Sequence, residues 1–160
     1  MKKLDVIIEK AQTKDSVKLS KFIEKESFVD SVLRRSPEEI AQYDYFIALY
    51  DNQVIGTIGY KIWEKDGPEI ISHVVKTEFR GKSIGYKLIQ KCMEKIRSKG
   101  YKTVFALVIA PKLFQKFGFY EIKKNALSCK ARIDCRNCKK NLGDWNDPIC
   151  SEIALRLDLG

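Results

Sequence analysis

Apolar residues recur at every fourth position between residues 84 and 96, where Ile84, Leu88, Cys92 and Ile96 form a single stripe. This period predicts an amphipathic helix. The segment before it, EIISHVVKT, is apolar and rich in β-branched residues, which is typical of a strand. The connecting stretch, FRGKSIG, contains two glycines and two basic residues. The pattern therefore predicts a strand, a basic glycine turn and a helix in direct succession.

Similar patterns predict the remaining elements. Strands are indicated by LDVIIEKA, DYFIALY, VIGTIGYKIW, TVFALVIA, FYEIKK and the alternating SEIALRLDL, and helices by KDSVKLSKFIEKE, SPEEIAQY and PKLFQKFG. In the first helix, the apolar face is predicted to comprise Val17, Leu19, Phe22 and Ile23. The segment ALSCKARIDCRNCKK is ambiguous. The order β, α, α, β, β, β, α, β, α, β, β predicts an α/β fold, with a mixed sheet and helices on both of its faces.

Capping residues support the helix boundaries. Ser36 is followed by Pro37 and then by Glu39, three residues after the serine, which is the pattern of a capping box. Gly100 and Gly118 follow apolar helical segments and are predicted to end them.

The length of 160 residues predicts one domain over residues 1–160, with a Cys-rich segment at 125–150. The longest apolar run, VFALVIA, is too short to span a membrane. The amino-terminal apolar run breaks at Glu9 and Lys10, which argues against a signal peptide. We therefore expect a cytoplasmic protein with no membrane association.

The net charge of +9 is concentrated in two regions. Residues 76–102 hold nine Lys or Arg against two acidic residues, and residues 123–140 hold seven against one. Such patches suit a nucleic acid or a phosphorylated cofactor, although charge alone favours a solvated helix face. The aromatic residues lie mostly in apolar runs and do not alternate with the basic ones, which disfavours a nucleic-acid-binding module.

The turn RGKSIG has the chemistry of an anion site. Glycines let a ligand approach the main chain, and a helix that begins there adds unpaired N–H groups and the positive end of its dipole. Arg80 and Lys82 add charge, so a diphosphate would fit. An ordinary capped helix start could use the same residues. The turn matches neither the loop of nucleotide hydrolases nor that of dinucleotide folds.

The stretch VVKTEFRGKSIGYKLI resembles the acetyl-CoA loop of the GNAT acetyltransferase superfamily, and LFQKFGFYEI resembles its second motif. The resemblance implies the GNAT fold, with a mostly antiparallel central sheet, and acetyl-CoA as co-substrate. The strand at His73, Val74 and Val75 would then pair with the pantetheine arm. The diphosphate would be held by the backbone amides of Lys82, Ser83, Ile84, Gly85 and Tyr86, and Arg80 and Gly81 would also bind the cofactor. Ser83 stands where glycine is usual, and Thr77 where proline is common.

Two residues of this strand are candidate bases for acetyl transfer to an amine. Glu69 matches the position of a catalytic glutamate in many members of the superfamily; the alternative is a solvated carboxylate at the strand end. His73, the one histidine of the chain, is the second candidate, although a lone strand histidine is more often structural. Phe114 stands in the second motif where many members have a general-acid tyrosine. It would line the cofactor site but cannot protonate the leaving thiolate.

A narrower resemblance concerns the acceptor. Residues 4–159 are similar to the acetyltransferase domain of N-acetylglutamate synthases, which also carry phenylalanine in the second motif. That resemblance implies that Arg35, with Arg34 as a weaker candidate, binds a substrate carboxylate through its guanidinium. The alternative is an exposed pair before a helix. The acceptor would be L-glutamate, or in a different GNAT enzyme a protein N-terminus, a lysine, a polyamine or an antibiotic. The sequence is compatible with a homodimer and does not determine the oligomeric state.

Cysteines cluster in the last third of the chain, at Cys129, Cys135, Cys138 and Cys150. Four thiolates could hold a structural zinc ion. The spacing is looser than in zinc ribbons, and a disulfide suits the expected compartment poorly. Reduced free thiols are the favoured interpretation.

Overall fold

The computed structural model describes residues 3–26, 33–128 and 152–160. The strands are β1 (Ile7–Lys10), β2 (Asp44–Tyr50), β3 (Gln53–Trp63), β4 (Gly67–Val75), β5 (Thr103–Val108), β6 (Tyr120–Ile122) and β7 (Ile153–Asp158). The helices are α1 (Ser16–Glu26), α2 (Pro37–Gln42), α3 (Ile84–Ser98) and α4 (Lys112–Phe117). This is the element order that the sequence predicts.

The strands form a seven-stranded sheet in the order β1-β2-β3-β4-β5-β7-β6. Neighbours pair antiparallel in β1–β2, β2–β3, β5–β7 and β6–β7, and parallel in β4–β5. The expected mixed, mostly antiparallel sheet is confirmed. By backbone contacts the chain groups into two compact units, Met1–Lys61 with Ile71–Lys95 and Ile62–Ile70 with Ile96–Gly160. The single-domain hypothesis stays a prediction.

In the first unit, helices cover both faces of the β2–β3 hairpin. Leu19 of α1 and Ile40 of α2 pack with Tyr45 and Ile47 of β2 in one apolar cluster. On the other face, a Cβ at Gly56 would lie 3.0 Å from Leu88 Cδ1 of α3. Glycine at this position of β3 therefore lets α3 pack closely against the sheet.

The hairpin turn and the helix ends follow from local chemistry. Asp51 and Asn52 both have positive φ, at 48° and 62°, as a tight turn between twisted strands requires. The Ser36 hydroxyl accepts from the backbone N–H of Glu39, and the Glu39 side chain accepts from the N–H of Ser36, so the predicted capping box is confirmed. Gly100 and Gly118 end their helices at φ of 84° and 114°.

The predicted stripe of α3 is confirmed, since Ile84, Leu88, Cys92 and Ile96 are all buried. The predicted face of α1 is wrong at one position, because Val17 is exposed while Leu19 and Ile23 are fully buried. Two residues turn a helix by about 200°, which places Val17 away from Leu19.

The second unit is built around β5 and β7. Phe105, Leu127 and Ala154 form its apolar cluster, with Trp63 packed against it. The predicted alternation of β7 is wrong, because consecutive residues Ala154 and Leu155 are both buried. Successive residues of a strand face opposite sides of the sheet, so both sides are covered at these two positions of β7, which pairs with β5 at one edge and β6 at the other.

Candidate active site

The glycine loop joins β4 to α3, as the sequence predicts. Residues Thr77–Phe79 form a short 3₁₀ turn, after which Arg80 Nε donates to the carbonyl oxygen of Val75 at 3.0 Å. The backbone N–H of Lys76 donates to the carbonyl of Ile55 at 2.8 Å. The end of β4 is therefore tied both to the loop that follows it and to the neighbouring strand β3.

The loop adopts a left-handed backbone at two positions, with φ of 75° at Gly81 and 64° at Ser83. Ser83 accepts the first bond of α3, from the N–H of Lys87 at 3.1 Å, so it occupies the position before the helix. The structure thereby explains why glycine is usual at this place, since a residue with a Cβ is strained at that φ.

An anionic ligand fits this loop by three physical criteria. A Cβ built at Gly81 would meet no atom within 4 Å, so the backbone there faces open space. The first N–H groups of α3, at Ile84, Gly85 and Tyr86, have no carbonyl one turn earlier within the helix. The side chains of Arg80 and Lys82 are exposed at the same loop. Together the amides, the helix dipole and the two cations suit a diphosphate.

His73 contacts the first turn of α3, directly after the loop. Its Nε2 lies 3.0 Å from the carbonyl oxygen of Gly85, in the first turn of α3. Since a carbonyl only accepts, Nε2 carries the hydrogen. Burial lowers the pKa of His73 to about 4, against a smaller raising effect of this hydrogen bond. The imidazole is therefore neutral at pH 7 and holds the helix start against β4.

Glu69, in the second unit, is buried in β4 at 5% exposure. The indole Nε1 of Trp63 donates to its Oε2 at 2.7 Å, and its Cα pairs with Phe105 of β5. The alternative of a solvated carboxylate at the strand end is wrong, since Glu69 lies inside the strand and is covered. This hydrogen bond fixes one of its oxygens.

Arg35 and Arg34 differ in the exposure of their side chains. The guanidinium of Arg35 is buried and its NH1 lies 3.3 Å from Glu39 Oε2, while Ser20 Oγ of α1 donates to its backbone carbonyl at 2.8 Å. The side chain of Arg34 is exposed, and its NH1 lies 3.6 Å from Glu24 Oε1. The interpretation of an exposed pair holds for Arg34 and is wrong for Arg35.

Lys61 is a buried cation that the sequence prediction missed. It is 6% exposed in β3, and its Nζ lies 5.9 Å from the ring centroid of Tyr43, within cation–π range. A lysine inside the apolar run VIGTIGYKIW was the available signal, because burying a charge is costly unless a partner compensates it.

Phe114 lies in the second unit, on α4. It is buried and packs edge-on against Phe119, with ring centroids 5.3 Å apart. Its contact with a cofactor stays a prediction.

The cysteines proposed as zinc ligands, Cys129, Cys135, Cys138 and Cys150, lie outside the described residues. Within the described ranges no group of His, Cys, Asp and Glu could hold a metal ion. In the same part of the chain, no helix is both long and apolar enough to cross a membrane.

Residues 17–119 match the family model of the acetyltransferase (GNAT) family. The chain belongs to the GNAT family of acetyltransferases. It is thus an acetyl-CoA-dependent N-acetyltransferase. That acetyl-CoA binds at the loop between β4 and α3, called the cofactor loop below, stays a prediction. A curated relative, an uncharacterized N-acetyltransferase of Chlorobaculum tepidum, is 32% identical over 153 residues, covering 94% of this chain and 95% of the relative.

Solved structures share the GNAT fold. N-acetylglutamate synthase from Neisseria gonorrhoeae, complexed with coenzyme A and N-acetyl-glutamate, superposes with a TM-score of 0.80 at 21% identity. The match covers 99% of this chain and 36% of the Neisseria chain. The ribosomal-protein-S18-alanine N-acetyltransferase from Escherichia coli superposes at 0.69 with 15% identity, covering 97% of this chain and 94% of that one. At these identities the likeness concerns the fold.

Proposed function

We propose that this enzyme transfers the acetyl group of acetyl-CoA to the α-amine of L-glutamate. The observation that supports an acidic acceptor most strongly is the burial of the Arg35 side chain, whose NH1 lies 3.3 Å from Glu39 Oε2 of α2. A buried guanidinium with a planar pair of donors suits a carboxylate. Its partner Glu39 is about half exposed, with 45% side-chain exposure.

A second buried basic residue, Lys61, also supports an acidic acceptor. Burial raises the pKa of Tyr45 to about 12, while the hydrogen bond with Ser72 and, to a smaller extent, the nearby charge of Arg35 lower it. Lys61 lies over the ring of Tyr43. Two buried cations thus lie around one pair of tyrosines in the first unit. Positive charge in this region attracts a substrate that carries carboxylates and repels a polyamine.

In the proposed reaction, acetyl-CoA lies along the backbone of residues 73–75 with its diphosphate on the amides of residues 82–86. Glu69, directly or through a water molecule, takes a proton from the α-ammonium of the acceptor. The neutral amine attacks the thioester carbonyl, and a strand amide stabilises the oxyanion. The C–S bond then breaks and the thiolate leaves, while the nitrogen gives up its second proton to water. Phe114 carries no proton for this step, so water protonates the thiolate, or it leaves as such.

His73 remains the second candidate base. Its lowered pKa makes it a weak proton acceptor, and its Nε2–H is directed at Gly85. These two features support a role in holding the cofactor loop, and they favour Glu69 as the base.

The second candidate function is acetylation of another amine, because enzymes such as the Escherichia coli S18-alanine N-acetyltransferase share the fold. Product detection by mass decides between the two. The enzyme is incubated with acetyl-CoA and L-glutamate, L-glutamine, lysine, a polyamine and a peptide N-terminus. We expect N-acetylglutamate to form fastest. A peptide or polyamine product in its place would refute the glutamate proposal while leaving the acetyltransferase intact. The cytoplasmic location and the homodimer stay predictions.

A further inference from the structure

Ser72 lies inside β4 with a left-handed backbone, at φ of 53°. Among the described residues, the other non-glycine positions with positive φ are Asp51 and Asn52 in the hairpin turn and Ser83 in the cofactor loop. Ser72 is thus the only one of the four that lies within a strand. Such a backbone is unfavourable for a residue with a Cβ and persists only where the surrounding structure holds it.

The group that holds Ser72 is the hydroxyl of Tyr45. The two side-chain oxygens lie 2.9 Å apart, and both residues are buried, at 2% and 5% exposure. Burial raises the pKa of Tyr45 to about 12, so the phenol keeps its proton and stays a neutral partner over the ordinary working range. A hydrogen bond between two buried hydroxyls is costly to lose, since the remaining hydroxyl has no access to water.

The ring of Tyr45 reaches Ser72 because the opposite residue of β3 is a glycine. Tyr45 pairs with Gly59 in the strand register, and a Cβ at Gly59 would lie 2.8 Å from Cε1 of the ring. That separation is shorter than two carbon atoms tolerate. Gly59, Tyr45 and Ser72 therefore form one packed arrangement across three strands.

The kink at Ser72 comes directly before the residues that contact the cofactor loop. Ile71 packs in the cluster that contains Tyr45, and the side chain of Ser72 also reaches Tyr45, so two consecutive residues face the same neighbour. An undistorted strand would alternate them. The kink therefore decides which way His73 points, and His73 in turn contacts Gly85 at the start of α3.

We propose that Tyr45 is a positioning residue for acetyl-CoA: its hydroxyl holds Ser72 in the left-handed conformation and so aligns the backbone of residues 73–75 and the loop that follows. The proposal rests on the placement of the cofactor in the proposed function, and it does not depend on which amine is the acceptor.

Its test uses four variants at Tyr45 and Ser72 and one control variant at Tyr60. The probe is CoA itself in calorimetric titration, together with kcat/KM for acetyl-CoA on whichever amine the enzyme accepts. Tyr45→Phe and Ser72→Ala each remove the bond and keep the Cβ strain, so we expect CoA binding to weaken about 10-fold. Ser72→Gly removes the strain together with the bond. In the double variant Tyr45→Phe/Ser72→Gly, affinity should return to within about 3-fold of the wild type, because no hydroxyl is left unpaired and glycine keeps the kink unaided.

Tyr60→Phe is the matched control. Tyr60 is an equally buried tyrosine whose hydroxyl donates to Asp44 at 2.5 Å, so its loss should lower thermal stability without changing CoA affinity. Unchanged CoA affinity in Tyr45→Phe would overturn the proposal, as would a double variant no better than Tyr45→Phe. If Tyr45→Phe does not fold, the CoA affinities of Ser72→Ala and Ser72→Gly are compared instead, and equal affinities would overturn the proposal. If the wild-type enzyme bound CoA but did not acetylate glutamate, glutamate would be refuted as the acceptor, and the proposed role of Tyr45 would be unaffected.

Discussion

The imidazole Nε2 of His73 in β4 donates to the carbonyl oxygen of Gly85 in the first turn of α3, at 3.0 Å. One side chain thus joins the strand that is proposed to carry the pantetheine arm to the helix that is proposed to carry the diphosphate. The bond needs only the Nε2 hydrogen, which is present in both the neutral and the charged imidazole. What burial opposes is the positive charge.

This environment predicts a pH dependence of stability. The pKa of His73 is about 4 in the folded chain, below the ordinary histidine value of about 6.5 in the unfolded one. The unfolded chain therefore binds more protons in this interval, and the free energy of unfolding should fall as pH drops from about 6.5 toward about 4. Because His73 is the one histidine of the chain, urea unfolding at several pH values isolates its effect above pH 5. A His73→Gln variant with an equally steep fall between pH 6.5 and 5 would contradict the prediction.

The two left-handed loop residues predict opposite effects of substitution. Gly81→Ala introduces a Cβ at φ of 75° and should cost about 1–2 kcal/mol and weaken CoA binding. Ser83→Gly relieves strain of the same kind at φ of 64°, against a gain in unfolded-chain entropy of about 0.4–1 kcal/mol, so a small net stabilisation is expected. Thermal unfolding and CoA titration measure both effects.

Ser83→Ala is the control for this pair, since it removes the hydroxyl and keeps the Cβ. If Ser83→Ala and Ser83→Gly were equally destabilised, the hydroxyl and not the backbone angle would be what matters at this position.

Arg35 and Arg34 provide a matched pair for the acceptor site. Arg35→Ala removes a buried charged donor, worth about 1.5–3 kcal/mol, so the KM for glutamate should rise about 10- to 150-fold while the KM for acetyl-CoA stays nearly unchanged. Arg34→Ala removes an exposed ion pair with Glu24 and should change either KM little. Steady-state kinetics by product mass separates them. Equal losses with glutamate and with an uncharged amine would show that Arg35 is structural.

Glu69→Gln tests the proposed base. The amide keeps an oxygen that can accept from Trp63 Nε1, so the fold should persist, but it cannot take a proton. We expect kcat to fall by about 10²–10⁴, with a small change in the KM for acetyl-CoA. Trp63→Phe, which removes the hydrogen-bond donor and keeps the carboxylate, is the comparison. A kcat for Glu69→Gln within about threefold of the wild type would assign the base to another group.

Local chemistry accounts for most of what the sequence alone determined. The period of Ile84 to Ile96, the capping box at Ser36 and the glycines at helix ends depend on neighbours within a few residues, and the structure confirms all of them. The loop predicted to bind the cofactor could be singled out for the same reason, since its glycines, basic residues and helix start are contiguous in the chain.

Tertiary structure decided the burial and partners of individual polar residues. The sequence is equally compatible with exposed side chains at Glu69 and Arg35. In the structure, packing buries both side chains, and their partners are Trp63 and Glu39. Tyr45 and Ser72 are in contact although they lie 27 positions apart in the sequence. No local turn signal predicts the kink of β4 at Ser72. Such features arise from contacts between distant segments, so neither the hydrophobic period nor the residue type at one position specifies them.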